Sequence, residues 1–286
     1  RARQDVKVAL IGQGPDELFG GYKRHLGVHY GSYWRGAPRG LRTVAEYGVR
    51  TLPRSEALQR GIHSLGTENR LERYRDVFSL LPGSEVDALF RPDHLPAGAG
   101  DGVCGMWAGL APELDGTDEL GGFQIVELRS SLPDELLMYA DKLSMAHGLE
   151  ARVPYLDREV VDFATGLPAT FKIRYGRRKW LHRRVCERFL PREILARKKR
   201  GFAVDVVDQW FRGSLQGPLG EYLHDDQSMM FEFLDPSAVR RLTEAHRAGR
   251  RDHHKILFSL VVLEEWLRGG HADRAETLPV RQRARA

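Results

Sequence analysis

The chain has 286 residues, 42% of them apolar and 9% aromatic, with a formal net charge of +5. That is enough apolar material for a substantial core in one or two domains, and it excludes a disordered or fibrous chain. The two cysteines, Cys104 and Cys186, are far apart; they argue against a disulfide framework or cysteine zinc site and suit a reducing, cytoplasmic setting.

The first predicted element is the apolar run at 6–11, VKVALI, read as a parallel strand covered on both faces. It passes through Gly12-Gln13-Gly14-Pro15 to two carboxylates, Asp16 and Glu17, that open a helix interrupted near Gly20-Gly21. A strand, a glycine loop and a helix N-terminus can offer backbone N–H groups to an anion, and glycine lets the main chain approach it closely. A carboxylate there repels bare phosphate and makes best sense with Mg²⁺ between them. The plainer reading is a strand turning into a helix whose acids suit the dipole; spacing alone leaves both open.

Residues 27–60, rich in Gly, Arg and aromatics, read as short helices and loops, and 71–81 as a helix ended near Pro82-Gly83. The Gly-, Pro- and Asp-rich stretch 91–122 is the least regular, either a lid-like segment or a long surface connection. A strong helix is predicted from Ser131, with Ser131 and Asp134 at capping-box spacing and Pro133 in the first turn. Its apolar residues lie on several sides, so it reads as buried. A buried setting for Asp141 and Lys142 would demand a partner or a polar site. Residues 151–156 are predicted extended, because Pro154 disfavours helix before it; Asp157 then caps a helix through Phe163, ended by Gly166 and Pro168. Further helices are predicted at 179–189, after Pro191, and at 206–211, 237–246 and 254–267, with a fraying Arg-rich tail at 278–286. His253-His254 read as capping or surface residues. No apolar run reaches membrane-spanning length, and no signal peptide is expected before Val6.

A loop that takes up a phosphate needs that negative charge offset, which Mg²⁺ and lysines can do. Asp16 could hold the metal, and Gly12 and Gly14 could bring backbone close. Lys179, predicted to open a helix, is an unfavourable cation beside the dipole, a conflict that a bound phosphate would relieve. Equally, Lys179 could be a solvated member of the basic run 177–179.

These residues carry a resemblance. GQGPDELFGGY resembles a nucleotide-site motif of the asparagine synthetase family, usually G-[EQ]-G-x-D-E-x-[FL]-x-G-Y. DKLSMAHGLEARVPYLD (141–157), GRRKWLHR (176–183) and RKKRGF (197–202) resemble further blocks in the family's order. The resemblance implies an α/β fold: part of an adenine-nucleotide alpha-hydrolase-like (PP-loop) parallel sheet flanked by helices, with a mostly helical C-terminal part. Residues 1–213 would be the C-terminal portion of the ATP-pyrophosphatase domain and 214–286 its helical extension. It implies that Asp16 binds magnesium pyrophosphate and that Lys179 stabilises charge during adenylation and amide formation. Gln13 would lie beside the reactive carboxyl, Ile11 and Gly12 would line the ATP site with Gly14, and Asp141 would lie near the acid substrate. Lys199, with Arg200, would support the anion side, unless that stretch is an ordinary basic loop. The implied cofactors are ATP and Mg²⁺. The implied partners are aspartate, or another carboxylic acid, and ammonia from a glutaminase domain; a homodimer is a candidate assembly. The family's N-terminal cysteine nucleophile and SGGxDS motif are not in this sequence, so the fragment alone is expected to be inactive.

Asparagine-forming members commonly have Ser-Gly-Glu-Gly-Ser-Asp-Glu where this chain has Ile11 to Glu17. Gln13 cannot act as a carboxylate base, though it can donate and accept hydrogen bonds, and Ile11 lacks a hydroxyl. The first expectation is asparagine synthesis through a β-aspartyl-adenylate, with AMP and pyrophosphate released. The alternative of the same class is amidation of another acid, in secondary-metabolite or surface-polysaccharide synthesis, with β-lactam-synthetase-like closure included. A basic nucleic-acid-binding module is the reading of a different class; it is disfavoured because the basic residues are scattered among 39 acids.

Overall fold

In a computed structural model, the described residues are 1–50, 61–62, 64–95, 101–197 and 218–277. The predicted helix at 206–211 and the tail at 278–286 lie outside them. The chain divides into two compact units. The first comprises Arg1–Arg42, His63–Val77 and Val103–Lys198, and the second Thr43–Ile62, Phe78–Gly102 and Lys199–Ala286.

In the first unit, β1 (Val8–Leu10) pairs in parallel with β2 (Glu150–Arg152), Ala9 opposite Ala151. The parallel pairing matches the expectation; coverage on both faces does not. Val8 is 43% and Leu10 72% exposed, because β1 has β2 as its one strand neighbour among the described residues. After β1 the chain forms the one-turn helix α1 (Pro15–Leu18), breaks at Gly20 and Gly21, and resumes as α2 (Lys23–Gly36). The helices Lys23–Gly36 and Arg39–Arg50 replace much of the short, looped structure expected from residue 27 onward.

The stretch 91–122 is more regular than its glycines and prolines suggest. It holds helices at Asp101–Ala108 and Ala111–Leu114 and the start of α3 (Glu119–Arg129), whose Asp118 side chain accepts from the Gly121 N–H. Residues 96–100 of that stretch lie outside the described residues. The helix expected from Ser131 begins as a π-turn, Leu132–Leu137, and continues as α4 (Met138–Met145). Ser131 is itself helical and makes no capping bond, and the Asp134 N–H goes to the Ser130 carbonyl. Nor is α4 buried: Met138, Tyr139, Leu143 and Met145 are all exposed, and so are Asp141 and Lys142. The charges therefore meet water, and the demand for a buried partner disappears.

Pro154 to Leu156 form a 3₁₀ turn where extended chain is predicted. Asp157 caps α5 (Arg158–Thr165) as expected, accepting from Glu159 N–H at 3.0 Å. Helix α6 (Ala169–Lys172) then runs into the hairpin β3 (Ile173–Arg174) and β4 (Arg177–Arg178). Its two loop residues, Tyr175 and Gly176, both have positive φ, as a type I′ turn requires. Helix α7 (Trp180–Cys186) starts one residue later and ends earlier than predicted.

Apolar packing in this unit brings Leu18 and Phe19, from the end of α1, against Ala164 of α5, with Leu156, Val160 and Leu167 around them. The motif loop is thus anchored on its C-terminal side by a small core. The second unit is apolar at its centre: Leu223, Met230, Phe231 and Leu234 pack on α8 (Pro236–Arg247) and α9 (His254–Thr277) through Val239, Leu257, Leu260 and Val261. His253 and His254 are buried rather than on the surface, and Asp252 holds the His254 ring at 2.6 Å.

Candidate active site

Gly14 caps α1 at φ +104°, a conformation that glycine adopts without strain. A Cβ there would also come within 2.6 Å of Leu156. Gly14 is therefore buried and shaped by the fold, whereas Gly12 is exposed, with open space where a Cβ would sit. Because α1 is a single turn, its dipole is a weak anion attractor, and positive charge has to come from elsewhere.

A cation does lie close by, on Lys179. Its Nζ lies 3.1 Å from Asp16 Oδ1, with both side chains 23% exposed. The sequence separates them by 163 positions; the structure brings them together through Gly21. A Cβ on Gly21 would overlap both the Asp16 carboxylate and the Lys179 side chain, so the chain passes between them only as glycine. The Gly21 N–H donates to the Asp16 carbonyl at 2.7 Å, and Arg178 Nη1 donates to the Gly21 carbonyl at 2.7 Å. Lys179 precedes α7 in the left-handed region, φ 54° and ψ 39°. Such a conformation costs a non-glycine residue about 1–3 kcal/mol, and it recurs where geometry serves function. Here the turn directs the lysine stem back toward Asp16.

His182, one turn into α7, packs on the Phe19 and Tyr155 rings at 5.5 Å each and pairs with the Tyr155 hydroxyl at 3.1 Å. Burial first, and then the Lys179 charge, hold it below the ordinary histidine range against the opposing pull of Asp16. It is therefore a neutral ring at neutral pH.

Glu17, adjacent to Asp16, is fully committed elsewhere. It is buried, accepts from the Tyr22 hydroxyl at 2.5 Å, and its carbonyl accepts from Gln124 Nε2. Burial, reinforced by that carboxylate, raises the Tyr22 phenol far above its usual value. The Arg24 guanidinium lies 4.1 Å over the Tyr22 ring and, with His25, binds the buried Glu127.

Of the other predicted site residues, Ile11 continues the strand ladder through its N–H to the Arg152 carbonyl. Gln13 is half-buried and makes no side-chain hydrogen bond among the described residues. Asp141 is exposed on α4, its carboxylate without an ion pair or hydrogen bond among the described residues; α4 packs on β2, the partner of the strand that leads into the motif loop. Lys199 lies outside the described residues, and so does most of the RKKRGF block. Sequence reasoning missed Arg178, His182, Gln124 and Lys172. Only Arg178, in the basic run before Lys179, left a signal that could have been followed.

No three His, Cys, Asp or Glu side chains cluster as a metal cage among the described residues. One carboxylate is the donor set that suits an Mg²⁺ carried on phosphates, which keeps its remaining ligands from substrate and water. Asp16 fits that role, and its pairing with a lysine fits a site that carries both signs of charge.

A strand, a glycine turn and a carboxylate–lysine pair held by a strained backbone thus meet at one place. The asparagine synthase family profile matches residues 1–268, and the chain belongs to that family. A protein of Mycobacterium tuberculosis named as a candidate asparagine synthetase (glutamine-hydrolyzing) is 34% identical over 274 residues, covering 93% of this chain and 40% of that protein. Asparagine synthetase (glutamine-hydrolyzing) 1 of Bacillus subtilis is 27% identical over 277 residues, 93% of this chain and 41% of its own. The rat asparagine synthetase is 32% identical over 130 residues, 41% of this chain. The chain thus spans about 40% of the length of the first of these relatives. No solved structure matches it.

Proposed function

We propose that this chain is the C-terminal part of the synthetase half of a glutamine-dependent amide-forming ligase. ATP activates a carboxylic acid, first of all the β-carboxylate of aspartate, as an acyl-adenylate, and ammonia from a glutaminase domain completes the amide. The observation that carries this reading is the Asp16–Lys179 pair at 3.1 Å, both residues lying in blocks shared with the family. Mg²⁺, when bound, neutralises the phosphates. Asp16 would hold the metal that pyrophosphate carries, and Lys179 would meet the charge that develops on the leaving group. Gln13 and Ile11 face the reacting end, Gly12 and Gly14 shape the nucleotide loop, and Asp141 and Lys199 belong to the acid and anion sides.

The fold is read as part of a PP-loop sheet, with 1–213 in the ATP-pyrophosphatase domain and 214–286 as its extension. The enzyme works in the cytoplasm, and no helix among the described residues is long and apolar enough to cross a membrane. A second reading, amidation of a different acid, is favoured by Gln13 and Ile11, which replace the carboxylate and hydroxyl common in asparagine-forming members.

Lys179→Ala in the full-length protein tests the first reading. It is expected to abolish pyrophosphate release while glutamine hydrolysis continues; unchanged release removes Lys179 from the chemistry. The same assay over a panel of acids separates aspartate from its competitors.

A further inference from the structure

The helix α1 that carries Asp16 is one turn long, so its last carbonyls need partners from outside it. The Gly21 N–H takes the Asp16 carbonyl. The Glu17 carbonyl is taken by Gln124 Nε2, from α3, more than a hundred residues away. The other end of that amide, Oε1, accepts from Lys172 Nζ at 2.8 Å. A carbonyl can only accept and an ammonium only donate, so Gln124 satisfies both in one orientation alone. Lys172 thereby fixes the amide, and the amide fixes the peptide next to Asp16. Glu17 is gripped a second time through its carboxylate, by Tyr22.

Lys172 is an expensive way to hold an amide. It is 2% exposed, and among the described residues its ammonium has the neutral Gln124 oxygen as its hydrogen-bond acceptor, with no carboxylate in contact. Burial pushes it down to about 8, against the weaker pull of Asp118. An apolar side chain of similar volume would remove the charge to be desolvated, while leaving the buried Gln124 oxygen without a donor. Stability is therefore a poor reason for this lysine, and geometry a better one.

We propose that Lys172 and Gln124 are positioning residues that lock the Glu17 peptide and so fix the direction in which α1 presents the Asp16 carboxylate to Lys179. This rests on the reading of Asp16 as the carboxylate that binds magnesium pyrophosphate.

The test titrates magnesium pyrophosphate into the full-length protein by calorimetry, alongside thermal unfolding and pyrophosphate release. Lys172→Met should melt close to the wild-type temperature, the relieved desolvation offsetting the unpaired Gln124 oxygen, yet bind magnesium pyrophosphate about tenfold more weakly, since small misplacements of a site are costly. Gln124→Glu keeps an acceptor for Lys172 but sets a carboxylate against the Glu17 carbonyl. It should weaken binding in the same way, and it carries the test if the methionine variant does not fold. In an Asp16→Asn background, Lys172→Met should add less than about twofold, because its effect passes through Asp16. A folded Lys172→Met with wild-type affinity and release rate, beside a weakened Asp16→Asn, overturns the positioning role alone. Wild-type affinity in Asp16→Asn overturns the reading of Asp16, and the positioning role with it.

Discussion

The two compact units use their buried polar groups for different ends. In the second unit they bond mostly to backbone groups. Glu264 accepts from the Met229 and Met230 N–H groups at the start of a 3₁₀ turn, Thr243 donates to the Val239 carbonyl, and His246 accepts from the His253 N–H. In the first unit the buried polar groups form relays between segments far apart in sequence: Lys172 to Gln124 to Glu17 to Tyr22, and Arg24 and His25 to Glu127. Arg35 and Arg73 likewise converge on Glu119. Burial alone would raise the Glu119 carboxyl, but Arg73 and Arg35 outweigh it and hold it below the usual range. A side chain spent on a backbone group mends the backbone; a relay of side chains between distant segments fixes a shape, and the Lys172–Gln124 relay ends at Glu17, next to Asp16.

The sharpest way to break that contrast is Glu127→Ala. Its carboxylate is fully buried and meets Arg24 Nε at 2.6 Å and His25 Nε2 at 2.7 Å. Removing it leaves the buried His25 ring without its hydrogen-bond partner and the Arg24 guanidinium without its carboxylate, which costs about 3–5 kcal/mol. Denaturant unfolding should show that loss, and magnesium pyrophosphate binding should weaken in whatever fraction remains folded. Unfolding within about 1 kcal/mol of wild type would mean the relay is ornamental.

Leu257→Ala is the matching change in the second unit. Leu257 is fully buried in the apolar cluster, and truncation should cost about 3 kcal/mol through lost transfer energy and a residual cavity. Here the folded protein should keep its pyrophosphate affinity. A stability loss accompanied by an equal affinity loss would erase the distinction between the units.

How much of this could be read from residues alone follows the same line. The glycine turn after β1 and the cap at Asp157 were legible because both are local devices; local pattern left Asp16 and Lys179 open, and the family resemblance singled them out. The β3–β4 hairpin was not: Tyr175 occupies a positive-φ position that turn rules assign to Gly, Asn or Asp. Nor was the exposure of α4, since an apolar pattern says which side chains would gain from burial and not whether a neighbour supplies it. Lys172 lies between Phe171 and Ile173 and reads as an ordinary lysine beside a hydrophobic pair. Its burial depends on Gln124, 48 positions away, and no local pattern encodes that distance.

The smallest expected effect isolates Lys172 without changing any atom. Its folded value, about 8, lies below the ordinary 10.5 because burial disfavours the charged form. Between those values the unfolded chain binds more protons than the folded one, so stability rises with pH across that window. Below it the desolvation penalty is felt in full, and above it the penalty is gone. Raising the pH from about 7 to about 9 should add about 1 kcal/mol to the first unit's unfolding free energy. Lys172→Met should flatten that rise by removing the titrating group. A slope that survives the substitution would assign the gain to other groups, and would leave Lys172 as a charged lysine that the fold accommodates at no cost.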